Sequence, residues 1–341
     1  MKNKIELISE LCKLPTVSGN EQYGIERLVE LVGDYFDEYK TTPTGSFIGI
    51  INSQKKNAKK IILDAHFDQV GMMVTNVFSD GFLSVVNVGG IDTNVLQASK
   101  VLVYGKKIIT GVFASKPPHL QSPGEADAKT EIKNLYIDTG YKEGIEEIVS
   151  VGDIVVYDSK VEPLNNEMLV GKAFDDKICI ATILETIKKL DKNKLNYDLY
   201  CVFSGGEEIG YIGAQTSAFE INPDCVIVLD VCTAEEPDDK RYEHTIYMEK
   251  GGVISLSPTI SKELTQNLIS CAKNNNILYQ IEAEVGRTGT NAHAFQIARE
   301  GIPTAIISYP LRNMHTPSEI VSLKDMDSIS ELAAMFLQEE Y

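Results

Sequence analysis

Tyr197-Asp198-Leu199-Tyr200-Cys201-Val202-Phe203 runs directly into Ser204-Gly205-Gly206-Glu207-Glu208-Ile209-Gly210. A short apolar run ending in glycines reads as a buried strand opening into a turn, and the segment that follows, roughly Gly210 to Phe219, reads as a helix. Strand, turn and helix in that order build α/β sheets, whose ligands sit in the crevice beyond the carboxyl ends of the strands. Glu207 and Glu208 leave such a turn in different directions, so that one can hold a metal while its neighbour handles a proton. Alone, an adjacent Glu pair is more often a solvated helix start favoured by the helix dipole. The rest of the chain shifts that balance.

Upstream, Ile5, Ile8 and Leu11, then Ile25, Leu28, Val29 and Val32, repeat at helical spacing, with Ser18 or Asn20 as the expected N-cap of the second helix. Strands are expected at Ser46 to Asn52 and at Lys60 to Leu63, the latter running into Asp64-Ala65-His66-Phe67-Asp68. From about Val70 to Pro163 short β-rich runs alternate with turn signals such as Ser79-Asp80-Gly81, the texture of a small barrel or sandwich. Helix and strand alternation then resumes. Strands are expected at Tyr197 to Phe203, Cys225 to Leu229, Ile281 to Val285 and Pro303 to Ser308, with helices around Ile180 to Leu190 and at Ser261 to Asn274, Ala292 to Glu300 and Ser328 to Gln338. The fold class is therefore α/β: a mostly parallel sheet flanked by helices, made of residues 1–69 and 164–341, with a small β-barrel domain inserted at 70–163.

Five segments of the α/β part place a metal-capable residue at a strand end, at a helix start or in a loop beyond a strand. His66 and Asp68 flank Phe67, so in extended geometry both side chains point to one side, a spacing that suits an imidazole ligand oriented by a carboxylate. Asp175-Asp176 stand at a helix start, where capping is the ordinary role. Asp230 closes the apolar run Val226 to Leu229, and His315 lies in a loop beyond the last strand. His66, Asp175, Glu208, Asp230 and His315, with Asp68 and Glu207 as spare carboxylates, match a pair of divalent ions about 3.5–4 Å apart bridged by one carboxylate and a water. Nitrogen and oxygen donors without thiolate suit Zn²⁺ or Co²⁺, with Mn²⁺ as a third choice, better than Mg²⁺. His119, His244 and His293 are assigned no catalytic role.

The order His-x-Asp, Asp, Glu-Glu, Asp, His, together with Gly171-Lys172-Ala173-Phe174-Asp175-Asp176-Lys177 and Met314-His315-Thr316-Pro317-Ser318-Glu319, resembles the dinuclear metallo-aminopeptidases that assemble tetrahedral (TET) particles, the glutamyl, leucyl and deblocking aminopeptidases. The resemblance covers nearly the whole chain and extends to Gly89-Gly90-Ile91-Asp92 and Lys116-Pro117-Pro118-His119-Leu120. It implies a zinc-exopeptidase-like fold acting on peptide substrates. It also implies His66 and Asp230 on one ion, Glu208 and His315 on the other, Asp175 bridging, Glu207 as general base and Asp68 orienting His66. The inserted domain would be a dimerisation domain that helps build a homo-oligomer, from a dimer up to a dodecameric cage. Ser204-Gly205-Gly206, Asp176-Lys177 and Asn291 depart from the frequent Val-Gln, Asn-Arg and Asp of that family.

Two other readings compete. N-acyl amino acid deacylases and carboxypeptidases share the ligand order, but they insert their extra domain after the Glu pair, whereas here a domain's length of chain separates Asp68 from Asp175. A catalytically silent scaffold would not need every ligand and Glu207 retained. The 341-residue chain carries a formal net charge of −17, which argues against nucleic acid, whose phosphates need a basic face, and disfavours an anionic membrane. Six cysteines at irregular spacing show no Cys-x-x-Cys pair, the N-terminus reads as an amphipathic helix, and a cytoplasmic protein is expected.

Overall fold

The computed structural model describes residues 3–115, 119, 131–236 and 245–339. Helices α1 (Lys4–Cys12) and α2 (Ile25–Val32) precede strands β1 (Glu38–Thr41), β2 (Phe47–Ile51) and β3 (Lys59–His66). Neither Ser18 nor Asn20 caps α2; Gly24 stands there without a side-chain bond. Ser18 instead donates to the carboxylate of Asp68 at 2.6 Å, so a long-range contact overrides the local capping tendency.

Strands β4 (Gly71–Val77), β5 (Phe82–Val88), β6 (Lys100–Tyr104), β7 (Ile108–Phe113), β8 (Tyr136–Asp138) and β9 (Ile154–Tyr157) close into an antiparallel barrel in the order β4-β5-β8-β7-β6-β9. Alternation places Ile109, Gly111 and Phe113 of β7 inward, and with Met72, Leu83, Val101, Val103 and Ile137 the inward side chains fill the interior. Of the segment 116–120 only His119 is described, and His244 also lies outside the described residues.

The remaining elements are β10 (Glu162–Pro163), β11 (Met168–Gly171), α3 (Phe174–Lys189), β12 (Tyr197–Ser204), α4 (Ile212–Ile221), β13 (Cys225–Thr233), β14 (Gly252–Leu256), α5 (Lys262–Asn274), β15 (Tyr279–Ala283), α6 (Ala292–Ile297), β16 (Thr304–Leu311), β17 (Glu319–Ser322) and α7 (Leu323–Gln338). They form an eight-stranded sheet ordered β1-β2-β12-β3-β13-β16-β14-β15. Its centre, β12-β3-β13-β16, is parallel; β1, β2 and β12 pair antiparallel, as do β16 and β14. One face packs on α1, α2, α3, α5 and α7, the other on α4 and α6. Central strands covered on both faces read as near-continuous apolar runs, as Val226 to Leu229 of β13 and Ala305 to Ile307 of β16 do.

Three local expectations change. Asp230 does not end its strand, which continues to Thr233. Helix α6 stops at Ile297, ahead of Arg299 and Gly301 at positive φ. Asp175 and Asp176, joined by a cis peptide bond, are not helical, and the helical turns of α3 begin after them; their carboxylates turn to His66 and His315 instead of capping the helix. A small sheet, β10-β11-β17, pairs Gly171 with Glu319 and so brings the end of the chain beside the start of α3.

Candidate metal centre

Because β3, β12, β13 and β16 run parallel, their carboxyl ends meet at one edge of the sheet. His66 is the last residue of β3, Glu207 and Glu208 follow β12, Asp230 lies in the carboxyl half of β13, and His315 follows β16. The turn after β12 depends on its glycines. Gly206 sits at φ +69°, and a Cβ on Gly205 would stand 2.8 Å from the backbone oxygen of Thr44. The Gly206 N–H donates to Glu21 at 2.9 Å, and the Gly205 N–H to Ser46 at 3.1 Å.

Asp175 lies between the two imidazoles. Its Oδ1 is 2.9 Å from His66 Nε2, and its Oδ2 is 3.1 Å from His315 Nε2, which also stands 3.3 Å from Glu208 Oε1. Potential donor atoms of His66, Asp175 and Asp230 lie within 4.8 Å of one another, as do those of Asp175, Glu208 and His315 and those of His66, Glu207 and Glu208. Thus the five residues expected as ligands converge, and Asp175 belongs to two triads. Each imidazole keeps Nε2 turned inward: His66 Nδ1 faces the Asp68 carbonyl at 3.2 Å, and His315 Nδ1 faces the Gly90 carbonyl at 2.5 Å.

Asp68 is fully buried and does more than face His66. Its carboxylate is 3.5 Å from His66 Nδ1 and accepts the N–H groups of Glu207 and Glu208 at 3.0 and 3.2 Å, tying the acidic turn to β3. Asp176 Oδ2 accepts the His66 N–H at 2.9 Å. Sequence reasoning passed over the functional meaning of Glu319, whose buried carboxylate accepts the N–H groups of Phe174, Asp175 and His315 at 2.6, 3.3 and 3.0 Å. It also missed Gly90, contributed by the loop after β5. The signals were the motif Met314 to Glu319 and the stretch Gly89 to Asp92, which contain Glu319 and Gly90 without assigning either a role. His293 contacts the Tyr211 ring instead and does not line the cavity.

Charge is crowded here. Burial, then repulsion from Asp230 and Glu208, pushes Glu207 up to about 9, and burial with repulsion from Asp175 pushes Asp230 up to about 8. Burial would depress His66, but Asp175 and Asp68 lift it well above the imidazole range; likewise Asp175 and Glu208 raise His315 to about 11. Burial works against the charge on Asp175, yet both imidazoles hold its carboxyl below the usual range. Glu208 Oε1 is buried with only the long contact to His315 Nε2 at 3.3 Å. Converging carboxylates and inward imidazole nitrogens fit divalent cations held by N and O donors.

These residues line a cavity of about 330 Å³ with Cys232, Glu282, Glu284, Thr288 and Ser308. The profile of the M42 glutamyl aminopeptidase family matches residues 45–332. The lysyl aminopeptidase of Pyrococcus furiosus is 33% identical over 340 residues, 98% of this chain and 96% of that protein. Aminopeptidase APDkam598 from the archaeon Desulfurococcus kamchatkensis superposes with a TM-score of 0.91 at 30% identity, covering 99% of this chain and 95% of its own. The Pyrococcus horikoshii TET1 peptidase, which can assemble into a tetrahedron or a large octahedral shell, gives 0.85 at 27% identity over 98% and 99% of the two chains. With matches of this length to a site of this composition, the chain belongs to the M42 glutamyl aminopeptidase family and is a peptidase.

Proposed function

We propose that the protein removes N-terminal residues from peptides with two divalent ions, Zn²⁺ or Co²⁺ foremost and Mn²⁺ next, held as the family resemblance implies: His66 and Asp230 on one side, Glu208 and His315 on the other, Asp175 shared. The observation that carries this is the position of Asp175, one oxygen facing each imidazole. Bound there, the ions would polarise the first carbonyl of the peptide and acidify a water. Glu207, lining the cavity outside the two triads that share Asp175, takes the proton of that water and returns it to the leaving amine. Asp68 fixes the Glu207-Glu208 turn and the orientation of His66. Asp176, with one oxygen on the His66 backbone, keeps the same end of β3 in place.

The barrel at 70–163 serves dimerisation, and the chain forms a homo-oligomer, a dimer or a dodecameric cage. The printed behaviour of the Pyrococcus horikoshii relative supports this, and a solution mass near the 37.6 kDa of one chain would refute it. A cytoplasmic setting fits cysteines that form no disulfide among the described residues. Among the described residues no helix is long and apolar enough to cross a membrane. The test is reconstitution of chelator-stripped protein: activity on a free peptide should rise until two metal equivalents per subunit are bound. Saturation at one equivalent, or full activity without metal, would overturn the dinuclear assignment.

A further inference from the structure

The acid turn after β12 presents the successive N–H groups of Gly205, Gly206, Glu207 and Glu208. Successive N–H groups in a turn form a concavity that attracts an anion. Here side chains from three separate segments fill it: Ser46 accepts the first N–H at 3.1 Å, Glu21 the second at 2.9 Å, and Asp68 the last two at 3.0 and 3.2 Å. Ser46 precedes β2 and Asp68 follows β3, both at the edge of the sheet. Glu21 comes instead from the single turn Glu21–Tyr23 between α1 and α2, a segment that supplies no metal ligand.

Glu21 is only 3% exposed, and its Oε1 also accepts the Gly19 N–H at 3.0 Å, so one oxygen joins the N-terminal loop to the acid turn. Two glycines admit this side chain. A Cβ on Gly45 would stand 2.7 Å from the Glu21 Cβ, and one on Gly205 would stand 3.1 Å from its carboxyl carbon. Burial raises the Glu21 carboxyl and Asp68 raises it further, a cost that a neutral acceptor, which suffices for Gly205, would avoid. Packing does not hold this side of the turn. Glu21, Gly206, Ile209 and Ile212 border a cavity of about 280 Å³, which leaves hydrogen bonds to keep Gly206 in place.

We propose that Glu21 is a positioning residue for the general base: by holding the Gly206 N–H it fixes the backbone from which Glu207 reaches the metal centre. A charge-assisted bond at the residue just before the base restricts where that carboxylate can go. A shift of about 1 Å in such a group costs on the order of 10²-fold in rate. The proposal rests on the aminopeptidase reading and adds a residue to it.

The test measures kcat and KM on a free peptide, at saturating metal, for the unaltered protein, Glu21→Gln and Glu21→Ala. Gln keeps the shape and one acceptor oxygen; Ala keeps neither. Glu21→Ala should lower kcat by roughly ten- to a hundredfold, with KM within about twofold and the metal content unchanged on elemental analysis, and Glu21→Gln should recover most of the loss. Formate, entering from the bordering cavity in place of the deleted carboxylate, should raise kcat of Glu21→Ala severalfold and leave the unaltered protein unaffected. A role in folding alone gives no such response. If Glu21→Ala does not fold, Glu21→Asp takes its place, since it keeps the charge and withdraws the oxygen by one methylene; it should lose kcat in the same way. Full turnover by the shortened variant, a Gln variant no better than it, or no response of Glu21→Ala to formate overturns the positioning role alone. Failure of the unaltered protein to cleave the peptide overturns the aminopeptidase reading and the proposal together.

Discussion

A buried carboxylate in this site is defined by what it accepts. Glu207 is held on the turn through its backbone N–H to Asp68 while its carboxylate faces the cavity, which frees that carboxylate for proton transfer. Glu207→Gln should therefore lower kcat by about 10²–10⁴ while two metals per subunit remain on elemental analysis; near-normal turnover would exclude it as the base. Glu319 is the opposite case, since three N–H groups from two distant segments converge on it. Glu319→Ala strands those donors, and urea denaturation should show a loss of about 1–3 kcal/mol. Weaker metal binding should accompany it, because Asp175 and His315 lose their common anchor. The sequence shows His66, Asp175, Glu207, Glu208, Asp230 and His315 as candidates because each stands beside a strand end or helix start. Ser18, Gly90 and Glu319 are silent there: their partners lie 50, 225 and 145 positions away, and no local pattern encodes such a meeting.

At the scale of elements, the turn after β12 couples backbone conformation to chemistry. Gly206→Ala places a Cβ at φ +69°, where an L residue loses about 1–2 kcal/mol. The change should also reduce kcat, because it displaces Glu207, and assays beside denaturation curves will separate the two effects. Phe203, one residue from the end of the same strand, is fully buried and stacks on Phe47 with ring centroids 5.4 Å apart. Phe203→Ala should destabilise by about 3–5 kcal/mol, read in the denaturation midpoint. Long, strongly patterned elements such as α3, α5, β12 and β13 are legible in the sequence because burial on a helical or strand period repeats over many residues. The strands β10, β11, β14 and β17 are not, being two to five residues long and held by partners far along the chain. The site role of Asp175-Asp176 is hidden for a related reason: a helix start suggests capping, while the partners that define them, His66 and His315, lie far along the chain.

For the whole molecule, a cluster of buried acids at the edge of a central sheet sets a condition on stability. The protein without its cations keeps the like-charge repulsion that raises Glu207 and Asp230, so chelation should lower Tm, and returning Zn²⁺, Co²⁺ or Mn²⁺ should restore it. At a free metal concentration of 100 Kd, each site adds about 2.7 kcal/mol. A thermal scan that chelation leaves unchanged would argue against metal sites of any strength. The central claim, that this cavity opens peptides only from a free amino end, meets its most direct test in one digestion. Metal-loaded protein is incubated with a peptide mixture in which each sequence is present free and N-acetylated, and the products are read by mass spectrometry over time. Stepwise loss of single N-terminal residues from the free set alone is the predicted result; cleavage of the acetylated set, or of neither set with any of the three metals, would contradict it.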